Sequence, residues 1–178
     1  HLLDHRVEMR SRLGHGSCFE VLVPLGQRGD TPTAVRAERH RPTLSPLANQ
    51  LVLCIDNDSD ILEAMDRLLA NWGATPVTAD SIDAAREAIT ALQRERGRAP
   101  AILLVDYHLD DGTIGTDAIE AVRSTAKLEI PAIVVTADHS DEVASAVSDA
   151  GLRLLYKPLK PAALRALMTS ILSRRDVA

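Results

Sequence analysis

The residues best suited to chemistry in this chain are Asp56, Asn57 and Asp58, then Asp106, Thr136 and Lys157. Each follows a short apolar run: LVLCI precedes Asp56, AILLV precedes Asp106, AIVV precedes Thr136 and LRLLY precedes Lys157. Carboxylates gathered at strand tips repel one another, by about 1–4 kcal/mol per pair at ~4 Å depending on the local dielectric. A hard divalent cation with oxygen ligands relieves that repulsion. Mg²⁺ suits the set, because it takes one or two carboxylates, keeps several waters and commonly bridges to phosphate. A hydroxyl and an ammonium nearby are what a phosphoryl oxygen needs. The chemistry indicated is phosphoryl transfer to a carboxylate nucleophile. Taken singly, each residue has a plainer reading. Asp58 or Ser59 could cap a helix, a threonine after two valines could end a strand, and a lysine before proline could be a surface charge. Their joint arrival at four strand ends carries the argument.

The elements that must position these residues alternate regularly over 50–178. LVLCI is followed by a helical pattern with apolar residues at Ile61, Leu62, Met65, Leu68, Leu69 and Trp72, which Gly73 ends. ATPVTA is a weaker strand. Ser81 is placed as the N-cap of a helix that buries Ala85, Ala88, Ile89 and Leu92. Strands are expected at 101–106, 132–137 and 152–156, and helices around 116–126 and 140–150. A last helix opens at Pro161, a favourable first-turn residue, and buries Leu164, Leu167, Met168, Ile171 and Leu172. Five β-α repeats with strands apolar on both faces imply an α/β fold, a parallel sheet covered on both sides. Ligands of such sheets bind beyond the carboxyl ends of the strands.

Outside the repeats, HRVEMRSR alternates and GHGSCFEVLVPL gives a Gly-rich turn and an apolar strand, so 1–25 is a short β-containing fragment. Residues 26–49 hold three prolines, two glycines and four arginines without apolar period, a linker composition. Aromatics are 2% of the chain and the net charge is −5, which disfavours base stacking and nucleic acid or anionic membranes as partners. No apolar run reaches the ~18 residues of a membrane span, and no signal-peptide h-region opens the chain. Cys18 and Cys54 follow no metal or redox spacing and read as reduced, inert thiols in a cytoplasmic protein. The six histidines show no ligand spacing and are expected at the surface. The start at His1, in mid-pattern, suggests a piece of a longer protein.

The acid cluster in CIDND, Asp106 in LLVDYHLDDG, Thr136 in VVTAD and Lys157-Pro158 in LYKPL together resemble the receiver domain of two-component response regulators. The resemblance implies a flavodoxin-like, doubly wound five-stranded sheet. It implies Asp106 as phospho-acceptor, and Mg²⁺ held by Asp56, Asn57, Asp106 and the backbone carbonyl of His108. Thr136 would bond the phosphoryl group and Lys157 would pair with its charge. The phosphodonor would be a histidine kinase domain or a histidine phosphotransfer protein, with homodimerisation left open. Three departures stand out. Asn57 replaces the second acid of the usual pair, the loop after Asp106 is rich in acid and lacks the usual proline, and Leu154 occupies the aromatic switch position. Tyr156, next to the lysine, is not its equivalent.

LLDHRVEMRSRLGHGSCFEVLVPL is similar to the end of a histidine-kinase ATPase domain, where a GxGSxF turn (Gly14, Gly16, Ser17, Phe19) precedes the last strand. Kinase tail, linker and receiver is the order of a hybrid histidine kinase, whose membrane anchor would precede this chain. The ATP-binding boxes and the phospho-acceptor histidine helix of such kinases are absent here, so this chain is not expected to bind ATP. Expected output is phosphorelay or kinase regulation. Two rival readings remain at this level. One is a pseudo-receiver that binds without being phosphorylated. The other is a haloacid-dehalogenase-like phosphatase with Asp56 as nucleophile and Asp58 as acid/base, which leaves Asp106 idle and has only Asp176 to supply its later acids.

Overall fold

Alternation of apolar and charged residues in RVEMRSR and GSCFEVL yields an antiparallel hairpin of β1 (Arg6–Arg12) and β2 (Gly16–Leu22). The computed structural model describes residues 6–12, 14, 16–22 and 46–175. It divides into two compact units, His1–Pro42 and Thr43–Ala178. In the first, Met9 stands opposite Phe19 and Arg10 opposite Cys18. Met9, Phe19 and Val21 are all more than half exposed. Cys18 is a free, exposed thiol. The expected linker lies outside the described residues up to position 45.

The second unit repeats β and α five times. It comprises β3 (Leu51–Ile55), α1 (Ser59–Asn71), β4 (Thr75–Ala79), α2 (Ile82–Arg96), β5 (Ile102–Asp106), α3 (Gly115–Ala126), β6 (Ala132–Thr136), α4 (Asp141–Asp149), β7 (Arg153–Tyr156) and α5 (Pro161–Arg175). The strands pair in parallel in the order β4-β3-β5-β6-β7. The repeats led to a covered parallel sheet, and the order observed is the doubly wound, flavodoxin-like one that the resemblance implied.

Strand residues alternate between two cores, as a period of two requires. Leu53, Ile55, Leu103, Val105 and Val134 meet Ala85 and Ile89 of α2, Ile119 and Val122 of α3, and Val143 and Val147 of α4. Val52, Cys54, Ile102, Leu104 and Ile133 meet Leu69 of α1 and Leu164, Met168 and Leu172 of α5. The central strands β3, β5 and β6 are buried throughout, whereas the edge strands β4 and β7 are not. Burial of Cys54, together with the negative charges of Asp66 and Asp56, pushes its thiol up to about 12, so it is inert.

Two expectations change in detail. On α1 only Leu69 is fully buried; Ile61, Leu62, Met65, Leu68 and Trp72 are half-buried, as are Ala88, Leu167 and Ile171. These residues sit toward the margins of their helical stripes, where the sheet no longer covers them. Trp72 instead lies under the Arg165 guanidinium, 5.7 Å from the ring centre. The other change concerns the linker. Leu47, read as linker, is fully buried in the α1/α5 core, and Asn49 donates to the Gly73 carbonyl at 2.7 Å. No helix among the described residues is long and apolar enough to cross a membrane.

Leu47→Ala should therefore lower stability by about 2–5 kcal/mol, the usual cost of truncating a buried leucine. Denaturant unfolding followed by circular dichroism checks this; a linker residue would leave the midpoint unchanged.

Candidate functional site

Strand register sets the level of every site residue. The last β3–β5 partners are Ile55 and Val105, so Asp56 and Asp106 leave the sheet side by side. Strand order reverses between these same two strands, since β4 lies on one side of β3 and β5 on the other. Asp106 is level with Val135, and Thr136 is level with Tyr156, which brings Thr136 and Lys157 to the same edge. Asp56, Asp106 and Thr136 are the buried polar or charged residues among those described, at 6%, 8% and 0% exposure. Burying such groups is costly unless they are partnered.

The partner is Lys157. Its ammonium lies 3.0 Å from Oδ2 of Asp56 and 3.1 Å from Oδ1 of Asp106. The backbone N–H of Asp58 donates to Oδ1 of Asp56 at 3.0 Å. The lysine is itself anchored, since its backbone N–H donates to the Thr136 carbonyl at 2.7 Å. Oγ1 of Thr136 accepts from the backbone N–H of Asp138 at 3.0 Å. Asp138 in turn accepts from the backbone N–H of Ser140 at 2.8 Å and lies 3.3 Å from Nε2 of His108. The hydrogen bonds from Ser140, and then His108, hold the Asp138 carboxyl below the usual carboxylate range. His108 and Asp138 so tie the loop after β5 to the loop after β6.

One ammonium between two carboxylates leaves the pair short of neutrality. Burial, and next the charge of Asp56, pushes the Asp106 carboxyl up, and Lys157 offsets this only in part. Burial alone would lower the Lys157 ammonium, but its bonds to Asp56 and Asp106 outweigh that and raise it.

The four residues Asp56, Asp106, Thr136 and Lys157, chosen from sequence, therefore converge. Asp58 goes elsewhere: its Oδ1 accepts from the N–H groups of Asp60 (2.9 Å) and Ile61 (3.4 Å) and caps α1. Asn57 is exposed, and its Nδ2 donates to Oδ1 of Asp110 at 2.6 Å. Leu154 packs against the α2/α3/α4 core, and Tyr156 stacks on His139 with ring centres 4.3 Å apart. The described histidines, His108 and His139, are exposed.

Sequence reasoning noted the acids after Asp106 only as a group, without the Asn57–Asp110 contact, and it missed Asp138 and Gly115. A Cβ at Gly115 would fall 2.4 Å from the carbonyl oxygen of Asp106, and its N–H donates to the Tyr107 carbonyl at 2.7 Å. Only glycine lets α3 start this close to the strand that carries Asp106. The signal was present as the glycine of DDGTIG but had no spacing rule to single it out.

No group of three or more His, Cys, Asp or Glu side chains among the described residues gathers as a metal cluster. The edge offers two carboxylates and a carboxamide, all hard oxygen donors. That set fits Mg²⁺, which needs few protein ligands and retains water, and it does not fit zinc.

The raised Asp106 carboxyl has a consequence for stability. The folded protein holds this proton more tightly than an unfolded chain, whose value is near 3.8. The stabilisation is complete below that value and is lost as pH rises through the folded one. Asp106→Asn should raise the thermal midpoint in metal-free neutral buffer, and the gain should vanish in acid. Scanning calorimetry across pH checks both limbs.

A family model for the response regulator receiver domain matches residues 52–169. The chain is 26% identical over 171 residues to the autoinducer 2 sensor kinase/phosphatase LuxQ of Vibrio parahaemolyticus. That match takes in 92% of this chain and 18% of LuxQ, so the chain spans under a fifth of that relative's length. A response regulator receiver domain protein of Clostridium thermocellum is similar in structure, with a TM-score of 0.60 at 19% identity, covering 72% of this chain and 98% of that one. A two-component response regulator of Clostridium difficile gives 0.62 at 22% identity, over 71% and 98% of the two chains. Chemotaxis protein CheY4 of Vibrio cholerae gives 0.56 at 24% identity, over 70% and 99%. The structural likenesses speak for the fold. With the family model spanning well over half of its length, the chain belongs to the response regulator receiver domain family.

Proposed function

We propose that this receiver domain accepts a phosphoryl group from a phosphohistidine onto Asp106, with Mg²⁺ as cofactor, within a two-component phosphorelay. The observation that carries this reading is the Lys157 ammonium held between Asp56 and Asp106, with the Thr136 hydroxyl on the adjoining strand end. A carboxylate oxygen of Asp106 attacks phosphorus, the bond from phosphorus to the imidazole nitrogen breaks, and an acyl phosphate forms. Mg²⁺ on Asp56, Asn57, Asp106 and the His108 carbonyl would supply positive charge to the carboxylates and the incoming phosphoryl oxygens. Lys157 is placed to follow the developing negative charge, because it already contacts Asp106. Thr136 contributes a hydroxyl whose oxygen is fixed by the Asp138 N–H.

The hairpin β1–β2 is proposed as the end of a histidine-kinase ATPase domain, which makes the parent a hybrid histidine kinase. Two observations support this. The similarity to LuxQ covers 92% of the chain, further than the receiver match over 52–169, and so reaches into the first unit. A lone two-stranded hairpin is marginal in water, and this one leaves Met9, Phe19 and Val21 uncovered. The proposed partners are the parent's own kinase domain or a phosphotransfer protein, at the cytoplasmic side of the membrane.

Incubation with acetyl phosphate and Mg²⁺, followed by mapping of the acyl phosphate, should place the label on Asp106, and Asp106→Asn should abolish it. Label on Asp56 would favour the phosphatase reading. No label from acetyl phosphate or from a phosphohistidine donor would favour a binding module.

A further inference from the structure

Asn57 leaves the acid pair one charge short, yet its side chain is not idle. Its Nδ2 donates to Oδ1 of Asp110 at 2.6 Å, across 53 residues of sequence. Asp110 follows Asp106 by four residues and opens a short 3₁₀ turn, Asp110–Gly112. That turn is closed on itself. Leu109 N–H donates to the Thr113 carbonyl at 3.0 Å, and Thr113 N–H donates back to the Asp110 carbonyl at 3.1 Å. Leu109 is buried, and His108 bridges to Ile114. The loop therefore presents Asp110 from a built backbone, just after the strand that carries Asp106.

We infer that Asp110 is a positioning residue of the Mg²⁺ site, supplying the carboxylate charge that Asn57 lacks and fixing the orientation of the Asn57 carboxamide. An amide has a donor end and an acceptor end. With the NH₂ committed to Asp110, the carbonyl oxygen is the end left for a hard cation; the opposite flip would set oxygen against oxygen. Aspartate at position 57 would place two carboxylates at hydrogen-bonding distance. Asn57 and Asp110 thus form one unit in which the acid has moved from the loop after β3 to the loop after β5. Residues that orient a metal ligand in this way typically carry roughly a 10–100-fold share of metal affinity.

This inference rests on the Mg²⁺-dependent receiver reading, and one experiment separates the two. Mg²⁺ is titrated into the 178-residue chain, with affinity read from backbone amide shifts around positions 56–58 and 106–111, beside the metal-free thermal midpoint. Asp110→Asn keeps a hydrogen-bonding side chain and removes the charge; it should weaken Mg²⁺ about 10-fold with little change in the metal-free midpoint. Asn57→Asp should tighten Mg²⁺ and lower the metal-free midpoint by repulsion with Asp110. Asn57→Asp with Asp110→Asn, which exchanges the two, should recover at least the original affinity. Unchanged affinity in Asp110→Asn overturns the role of Asp110 and leaves the receiver reading standing. Absence of Mg²⁺ binding by the unmutated chain, with no acetyl-phosphate labelling, overturns both.

Discussion

The ammonium of Lys157 sits between the carboxylates of Asp56 and Asp106, and the rest of the structure serves to keep it there. Two buried acids at neighbouring strand ends repel, and the sheet cannot move them apart because strand register fixes their level. Lysine arrives from the far side of the sheet, two strands beyond Asp106, and is locked by its own backbone bond to Thr136. A buried charge cluster of this kind is seldom a net source of stability, since desolvation offsets much of the Coulomb attraction. The raised Asp106 carboxyl is the local sign of that imbalance.

Apolar burial elsewhere makes the imbalance tolerable. The three central strands are covered on both faces by aliphatic side chains, and two independent cores clamp the sheet from either side. The unbalanced charge is confined to the carboxyl edge, where α3 begins within van der Waals reach of the Asp106 carbonyl only because residue 115 is glycine. The loops above the edge are tied to one another by His108 with Asp138, and by Asn57 with Asp110. Charge introduced at Asp106 would thus meet loops already in contact, which is a physical basis for passing a local electrostatic change to the surface.

Much of this was legible in the sequence because its signals are periodic. Runs such as LVLCI and AIVVT, alternating with helical stripes, define five β-α repeats whatever the tertiary detail, and the site residues stand where those runs stop. What the sequence hid depends on pairing between distant segments. Whether Asp58 faces the site or caps α1 is a matter of one backbone rotation, and the cap won. Leu47 reads as linker because it is flanked by proline, alanine and asparagine, yet it fills the end of a core. The Asn57–Asp110 contact and the His108–Asp138 contact join loops 53 and 30 residues apart, and no local pattern announces them.

The balance at the carboxyl edge is set by the ionisation of Asp106, and carboxyl ¹³C chemical shifts followed through a pH titration of the metal-free protein measure it directly. Asp106 should titrate with a midpoint above the ordinary 3.8, moving higher still in Lys157→Met and falling when Mg²⁺ is added. A midpoint at or below the ordinary value, unmoved by loss of Lys157, would contradict a buried Asp106 balanced by that ammonium.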